Sequence, residues 1–343
     1  MRWERGVTTP RPRSTILHGW PSKCYSHRLV QTIPLSLRPP LSEHSAAIGQ
    51  VVEHLFTVDL EEYFQVSAFE GIAPRDRWDS FPSRVERNVD ELLQLLARHD
   101  AAATFFTLGW IADRHPALVK RIAGAGHEIA SHGWWHRRVT SLSRDEFRTD
   151  VRDARRILED VAGQPVVGYR APSFSMVPGT EWAFDVLIEE GYRFDSSLFP
   201  IRRPGYGYPG ADPYRHTLAR AGGVLVELPL ATTSWLGVRL PAAGGGWFRQ
   251  LPYALTRRAF REHSDRGVPA VFYVHPWEID PAQPKLATSA LTRVRHYRGL
   301  DRTMPRLERL LGEFRFTSVQ RSLDREGTSA DRGAHAAGVR VAG

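Results

Sequence analysis

Residues 102–136 read AATFFTLGWIADRHPALVKRIAGAGHEIASHGWWH. Ala102–Thr107 is a short run of small, aromatic and β-branched residues, the pattern of a buried strand. Pro116 then opens a helical stretch to Gly124, since proline suits a helix's first turn. His127–Ser131 is strand-like again. Strand, helix and strand in so few residues form the repeating unit of a parallel sheet with helices outside it.

The same alternation runs outward in both directions. Upstream, HLFTVD at His54–Asp59 is a strand and Arg87–His99 an amphipathic helix. Downstream, Ser143 and Glu146 have capping-box spacing and start a long helix to about Val161. A strand over Val166–Arg170, a helix over Thr180–Glu190 closed by Gly191, and strands over Tyr192–Asp195 and Val224–Leu230 follow. Tyr253–Arg266 is a helix closed by Gly267, and Ala270–His275 (AVFYVH) a strand. Met304–Phe314 is a last helix and Arg315–Val319 a last strand. No fixed-period repeat is present. About eight strands predict an α/β barrel. A doubly wound open sheet would need a glycine-rich phosphate loop after an early strand, and none follows any of them.

The chain has 343 residues, 42% hydrophobic and 24% charged, which is ordinary globular usage. Its net charge of +8 is uneven. Residues 1–50 carry seven basic residues against two acids, and 321–343 carry four against three, so 51–320 keeps only +2. Nucleic-acid binding is therefore not expected of the folded part. Residues 1–50, rich in Pro, Ser and Arg, read as a disordered extension, and 321–343 as a disordered tail. The extension suits a transit peptide and an early-called start codon equally. With no apolar signal core and no run of ~20 apolar residues, a cytoplasmic location is expected. The one cysteine, Cys24, excludes an intramolecular disulfide framework and a Cys-rich zinc site, so any metal must sit on His and carboxylates.

Reactive side chains recur where predicted strands end: Asp59, His132, Arg170, Asp195 and His275. In a parallel barrel those ends converge on one face, where barrel active sites lie. His132 and His136, in SHGWWH, are spaced to face one point, and Asp59 and Glu61, in TVDLEEYF, supply carboxylates nearby. Two histidines and a carboxylate with open positions form a hydrolytic metal site's ligand set. Singly, each has an ordinary reading: surface histidines, a loop-capping Asp59, a solvated Glu61–Glu62 pair, a salt-bridged Arg170, a turn Asp195, a core His275.

The ordered set TVDLEE, SHGWWH, YRAP, FDSS and YVHP resembles the five motifs of polysaccharide deacetylases of the NodB-homology type, carbohydrate esterase family 4. The match covers roughly residues 51–320, one domain with a subgroup-specific segment over about 276–320. DLEEYFQV, FDSSLFP, HPWEIDP and RHYRGLD look most like the exosortase- and exopolysaccharide-associated subgroup. The resemblance implies a distorted (β/α)7 barrel with one divalent metal, usually zinc. It makes His132 and His136 metal ligands, Asp59 the catalytic base, Arg170 the arginine that orients it, His275 the catalytic acid, and Asp195 the acid that tunes His275. One departure stands out. Leu60 occupies the place of the family's metal-binding aspartate. Glu61, on the same side of an extended strand as Asp59, is nominated as third ligand, with Glu62 as the fallback.

The implied activity is metal-dependent removal of N-acetyl groups from a hexosamine-containing polysaccharide, a linear-amide hydrolysis, in exopolysaccharide biosynthesis or modification. Aromatic platforms for the sugar are sought in Trp135, Tyr169 and Trp277, with Trp134 and Phe174 as further candidates. Two other readings fit: a hydrolase of a small non-peptide amide on the same fold, and a non-catalytic glycan- or polyanion-binding protein in which Leu60 marks lost catalysis.

Overall fold

The computed structural model describes residues 51–203 and 205–326. The extension expected over 1–50, with Cys24, lies outside them, as does the tail from 327. The tail boundary expected at 321 is displaced, because residues 319–326 are helical. Val319 is buried there, and Arg321 Nη2 donates to Gly126 O at 2.8 Å, contacts a Gly/Ala/Ser/Arg composition does not announce.

The alternation read from the sequence appears as strand β1 (Glu53–Leu60), helix α1 (Val85–Arg98), β2 (Thr104–Thr107), α2 (Gly109–Arg114), α3 (Pro116–Gly124), β3 (Glu128–Ser131), α4 (Arg144–Ala162), β4 (Gly168–Tyr169), α5 (Trp182–Glu189) and β5 (Phe194–Asp195). After these come β6 (His216–Arg220), β7 (Gly223–Glu227), β8 (Thr232–Trp235), β9 (Val238–Pro241), α6 (Gly245–Gln250), α7 (Tyr253–Asp265), β10 (Val271–Val274), α8 (Ala290–Tyr297), α9 (Thr303–Glu313) and β11 (Arg315–Thr317). The sequence reading did not contain β6, the β8–β9 hairpin or the short helices α2, α6 and α8. These lack a strong apolar period of their own.

The main sheet runs β10-β1-β2-β3-β4-β5-β7-β6, with β11 on the first residues of β1. All its pairings are parallel except β6–β7. A parallel bridge between Leu230 and Val271 carries the stretch after β7 back to β10, so the sheet curves round on itself. The result is the distorted α/β barrel expected.

Local chemistry explains the elements. The Ser143–Glu146 capping box forms as read, with Glu146 N donating to Ser143 Oγ at 3.2 Å and Ser143 N donating to Glu146 Oε2 at 2.9 Å. β1 is buried along almost its whole length, His54 included. The His54 Nδ1 accepts from Ala270 N at 3.0 Å, and burial, aided by nearby His263, lowers its pKa to about 3. Its ring is a neutral core element. Among the described residues no helix is long and apolar enough to cross a membrane.

Candidate active site

The C-terminal ends of the parallel strands surround a cavity of about 320 Å³ whose lining includes Asp59, Glu61, His132, His136 and His275. Glu61, His132 and His136 are buried, and one ligand atom from each lies within 4.8 Å of the others. His136 Nε2 is 2.8 Å from Glu61 Oε2. His136 Nδ1 is buried without a hydrogen-bond partner among the described residues, and the buried Glu61 Oε2 has none besides this His136 contact. His132 Nδ1 lies 2.8 Å from the carbonyl oxygen of Arg170. A carbonyl only accepts, so Nδ1 carries the proton and Nε2 keeps a free lone pair. Burial holds the His132 pKa down at about 4. Burial pushes Glu61 up, but His136 and His275 outweigh it and bring it to about 2. Neutral imidazole beside ionised carboxylate is the donor set a divalent cation requires, so these residues fit a metal ion.

The sequence places this cluster through an unusual loop. Gly133 has φ +75° and His136 φ +51°. A Cβ at Gly133 would sit 2.5 Å from Asp150 Oδ2, the oxygen that accepts from Trp134 N at 3.0 Å. Asp150 of α4 thus ties down the turn that returns His136 towards His132. The two adjacent acids after Leu60 part company. Glu61 joins the histidines, whereas Glu62 accepts from Ser83 Oγ and from the backbone N–H groups of Arg84 and Val85 at 2.9 and 3.1 Å. Glu62 caps the start of α1 and points away from the cluster.

Asp59 sits beside the cluster. Its Oδ1 accepts from Arg170 Nη1 at 2.7 Å. Arg170 is fully buried, lies 4.1 Å over the Phe106 ring, and donates further to Thr57 Oγ1 and to the carbonyl and hydroxyl oxygens of Ser196. The guanidinium is fixed on every side, and so is the carboxylate it grips. His275 comes from the end of β10. Its Nε2 is 3.8 Å from Asp59 Oδ2 and 3.7 Å from Glu61 Oε1.

Three expectations are corrected. Asp195 is not the acid against His275. It accepts from Ser197 Oγ at 2.6 Å and Ser197 N at 3.1 Å and is buried against Glu227. Burial raises Asp195 to about 6; burial and then Asp195 raise Glu227 well above the carboxylate range, so Glu227 holds the proton of the pair. Their effect is to order the loop whose Ser196 holds Arg170. The acid on His275 Nδ1 is Glu278, at 2.9 Å. Tyr169 is buried edge-on against Phe147 and Tyr192, outside the cavity lining. Arg170 directly follows it past the end of β4, with its N still bonded to Ser131 O beside the sheet, so the two side chains face opposite sides. Trp135 is exposed but lies in a separate groove beside α4.

Trp277 does line the cavity, yet as a support. It is 5% exposed, stacked against His275 and His296, and its Nε1 donates to Glu61 Oε1 at 3.1 Å. The sequence reading missed Glu278, Arg249 and His296. Glu278 had a signal, since it follows His275 at the three-residue spacing of a capping box, and that box forms.

The fold and the Glu–His–His cluster define an α/β barrel with a candidate metal-binding hydrolytic pocket. Comparison with known proteins makes the class specific. Residues 77–183 match the family model for polysaccharide deacetylase, and residues 196–324 match a domain of unknown function, DUF3473. A Bacillus cereus peptidoglycan-N-acetylglucosamine deacetylase is 27% identical over 139 residues, 37% of this chain and 50% of that protein. A second from that species is 33% identical over 103 residues, 30% of this chain and 46% of that one. The chain thus spans about half the length of these curated relatives. A solved Mycobacterium smegmatis structure, described as a polysaccharide deacetylase, superposes with TM-score 0.51 at 27% identity, over 68% of this chain and 79% of that one. Residues 77–183 therefore form a polysaccharide deacetylase domain. The matched regions hold part of the site each: His132, His136 and Arg170 fall in the first and His275 and Glu278 in the second, while Asp59 and Glu61 precede both.

Proposed function

We propose that the protein is a metal-dependent deacetylase that removes N-acetyl groups from a hexosamine-containing polysaccharide. The observation that carries this reading is the convergence of Asp59, fixed by Arg170, with His275 Nε2 beside the Glu61–His132–His136 cluster. Glu61, His132 and His136 would hold the ion. Zinc suits their nitrogen and oxygen donors, and when bound it supplies Lewis acidity and a water acidic enough to ionise near neutral pH.

The chain's own residues account for the proton traffic. Asp59 Oδ2, free of Arg170, takes the proton from the attacking water as its oxygen bonds to the amide carbon. Arg170 keeps that carboxylate aimed. The carbon–nitrogen bond then breaks, and the departing amine needs a proton, which His275 Nε2 donates. Burial would lower the His275 pKa, but Glu61, Glu278 and Asp59 outweigh it and hold it at about 9. The ring is therefore charged and ready to donate at neutral pH. Acetate and a free sugar amine are the products.

The relatives' N-acetylglucosamine substrates support a hexosamine glycan, and the subgroup motifs support a place in exopolysaccharide modification. Acetate release from N-acetylhexosamine oligomers, in paired assays with small linear and cyclic amides, tests the reading. Turnover confined to the small amides would replace it.

A further inference from the structure

On the earlier half of the barrel most arginines are matched, Arg77 and Arg156 being exceptions. Arg75 pairs with Glu70, Arg114 with Asp79, Arg121 with Asp90, and Arg144 and Arg148 with Glu189. The segments from the DUF3473 region that reach the cavity lack such matching. Residues 281–300 contain Lys285, Arg293, Arg295 and Arg298 and no acid. Residues 196–211 contain Arg202 and Arg203 and no acid. Among the described residues, no carboxylate pairs with Arg202, Arg203, Arg293, Arg295 or Arg298.

Two of these cations adjoin the site. Arg295 and Thr292, one turn apart on α8, line the same cavity as Asp59 and His275. The Arg295 side chain is exposed, while its backbone carbonyl is held by Gln250 Nε2 at 3.1 Å, so the residue's position is fixed and its guanidinium is free. Arg203 lies 4.6 Å over the Trp247 ring, next to cavity-lining Gly246. A stacked guanidinium keeps its N–H groups available for a planar anion. Arg249, the buried cation of the same lining, is committed to Glu278 at 2.7 Å.

We propose that this rim binds the acidic substituents of an anionic glycan, so that the N-acetylated sugar is presented with a carboxylate- or phosphate-bearing unit beside it. The inference rests on the deacetylase reading above. Unmatched arginines within a Debye length of about 8 Å attract anions from solution and grip carboxylate or phosphate through paired N–H donors. A neutral homopolymer would draw nothing from them.

The test is calorimetric binding of hyaluronan hexasaccharide and of chitohexaose to the zinc-loaded full chain at low and high salt. Both carry N-acetylglucosamine, and only hyaluronan carries carboxylates. Hyaluronan is expected to bind at least about tenfold tighter at low salt, with the advantage shrinking as salt rises. Arg295→Ala and Arg203→Ala should each remove several-fold of that advantage, and Arg152→Ala, on the far surface of α4, should remove none. A teichoic-acid fragment bearing N-acetylglucosamine, if tighter than hyaluronan, makes phosphate the preferred anion and supports the rim. Equal affinity for the two hexasaccharides, or Arg295→Ala binding hyaluronan as the parent does, overturns it. Acetate release is scored separately. Deacetylation without anion preference removes only the rim, and anion-selective binding without acetate release from any oligomer removes only the deacetylase reading.

Discussion

Glu278 holds His275 at two points. Its Oε2 is 2.9 Å from the ring Nδ1 and 3.0 Å from the His275 backbone N. Its other oxygen takes a 2.7 Å hydrogen bond from Arg249 Nε, and Arg249 also donates to the carbonyl oxygens of His296 and Arg298. Burial would raise Glu278, but Arg249 and His275 outweigh it and keep it ionised, at about 2. The proton on Nδ1 is thereby fixed and Nε2 is left to face Asp59. A chain of contacts from the DUF3473 region thus positions one member of a pair whose other member ends β1.

Glu278→Gln is expected to lower kcat/KM by roughly ten- to a hundredfold, as loss of a supporting acid does. The carboxylate favours the charged imidazole, so its loss lowers the His275 pKa. The protonated form then disappears at lower pH, and the alkaline limb of the kcat/KM profile moves to the acid side. A merely structural defect would lower the profile without moving that limb. A thermal melt on the same sample separates the two, because Arg249 loses its partner.

Glu61 and Glu62 are expected to fail differently. Glu61→Gln should lose metal, measured as bound zinc per chain after dialysis, with little change in the fold. Glu62→Gln should keep its zinc and lose the cap of α1, at a cost of about 1 kcal/mol in a denaturant titration. Zinc loss in Glu62→Gln with retention in Glu61→Gln would reverse the ligand assignment.

Asp59→Asn should abolish acetate release, by at least about a hundredfold, while zinc content stays at the parent level. Asp59 is held by Arg170 and lies outside the three-residue cluster. A variant that loses its zinc would make Asp59 a ligand in place of a base.

Much of this was legible because barrels put chemistry at strand ends. That single rule found Asp59, His132, Arg170 and His275, and two-residue periodicity chose Glu61 over Glu62. The same periodicity, applied to Tyr169, would have sent it away from Arg170 and out of the site. Asp195 also ends a strand, yet its carboxylate turns back onto Ser197. Strand position fixes where a backbone stops, and rotamer and loop decide where the side chain goes. Arg249 was out of reach, since its contacts with Glu278 and His296 span 29 and 47 residues and no local pattern carries them. The overall charge misled in a further way. The modest excess of the core hides an acid-free stretch at the cavity rim.

His54 gives a stability prediction with a definite sign. Its folded pKa is about 3 and its unfolded value about 6.5. Between those values the unfolded chain binds the proton and the folded chain does not, so this residue's contribution is full above pH ~6.5 and declines as pH falls towards ~3. His54→Gln, which retains an acceptor for Ala270 N, should therefore lose less of its urea midpoint than the parent between pH 7 and pH 5. An equal loss in both would show that His54 is not held neutral.

The most direct test of the central claim is acetate release from N-acetylglucosamine hexamer by the purified chain before chelation, after chelation and after addition of zinc. Release that stops with the chelator and returns with zinc, and that is absent from Asp59→Asn and His275→Ala under all three conditions, is the expected result. Undiminished release in the chelator, or full release by Asp59→Asn, would contradict the assignment.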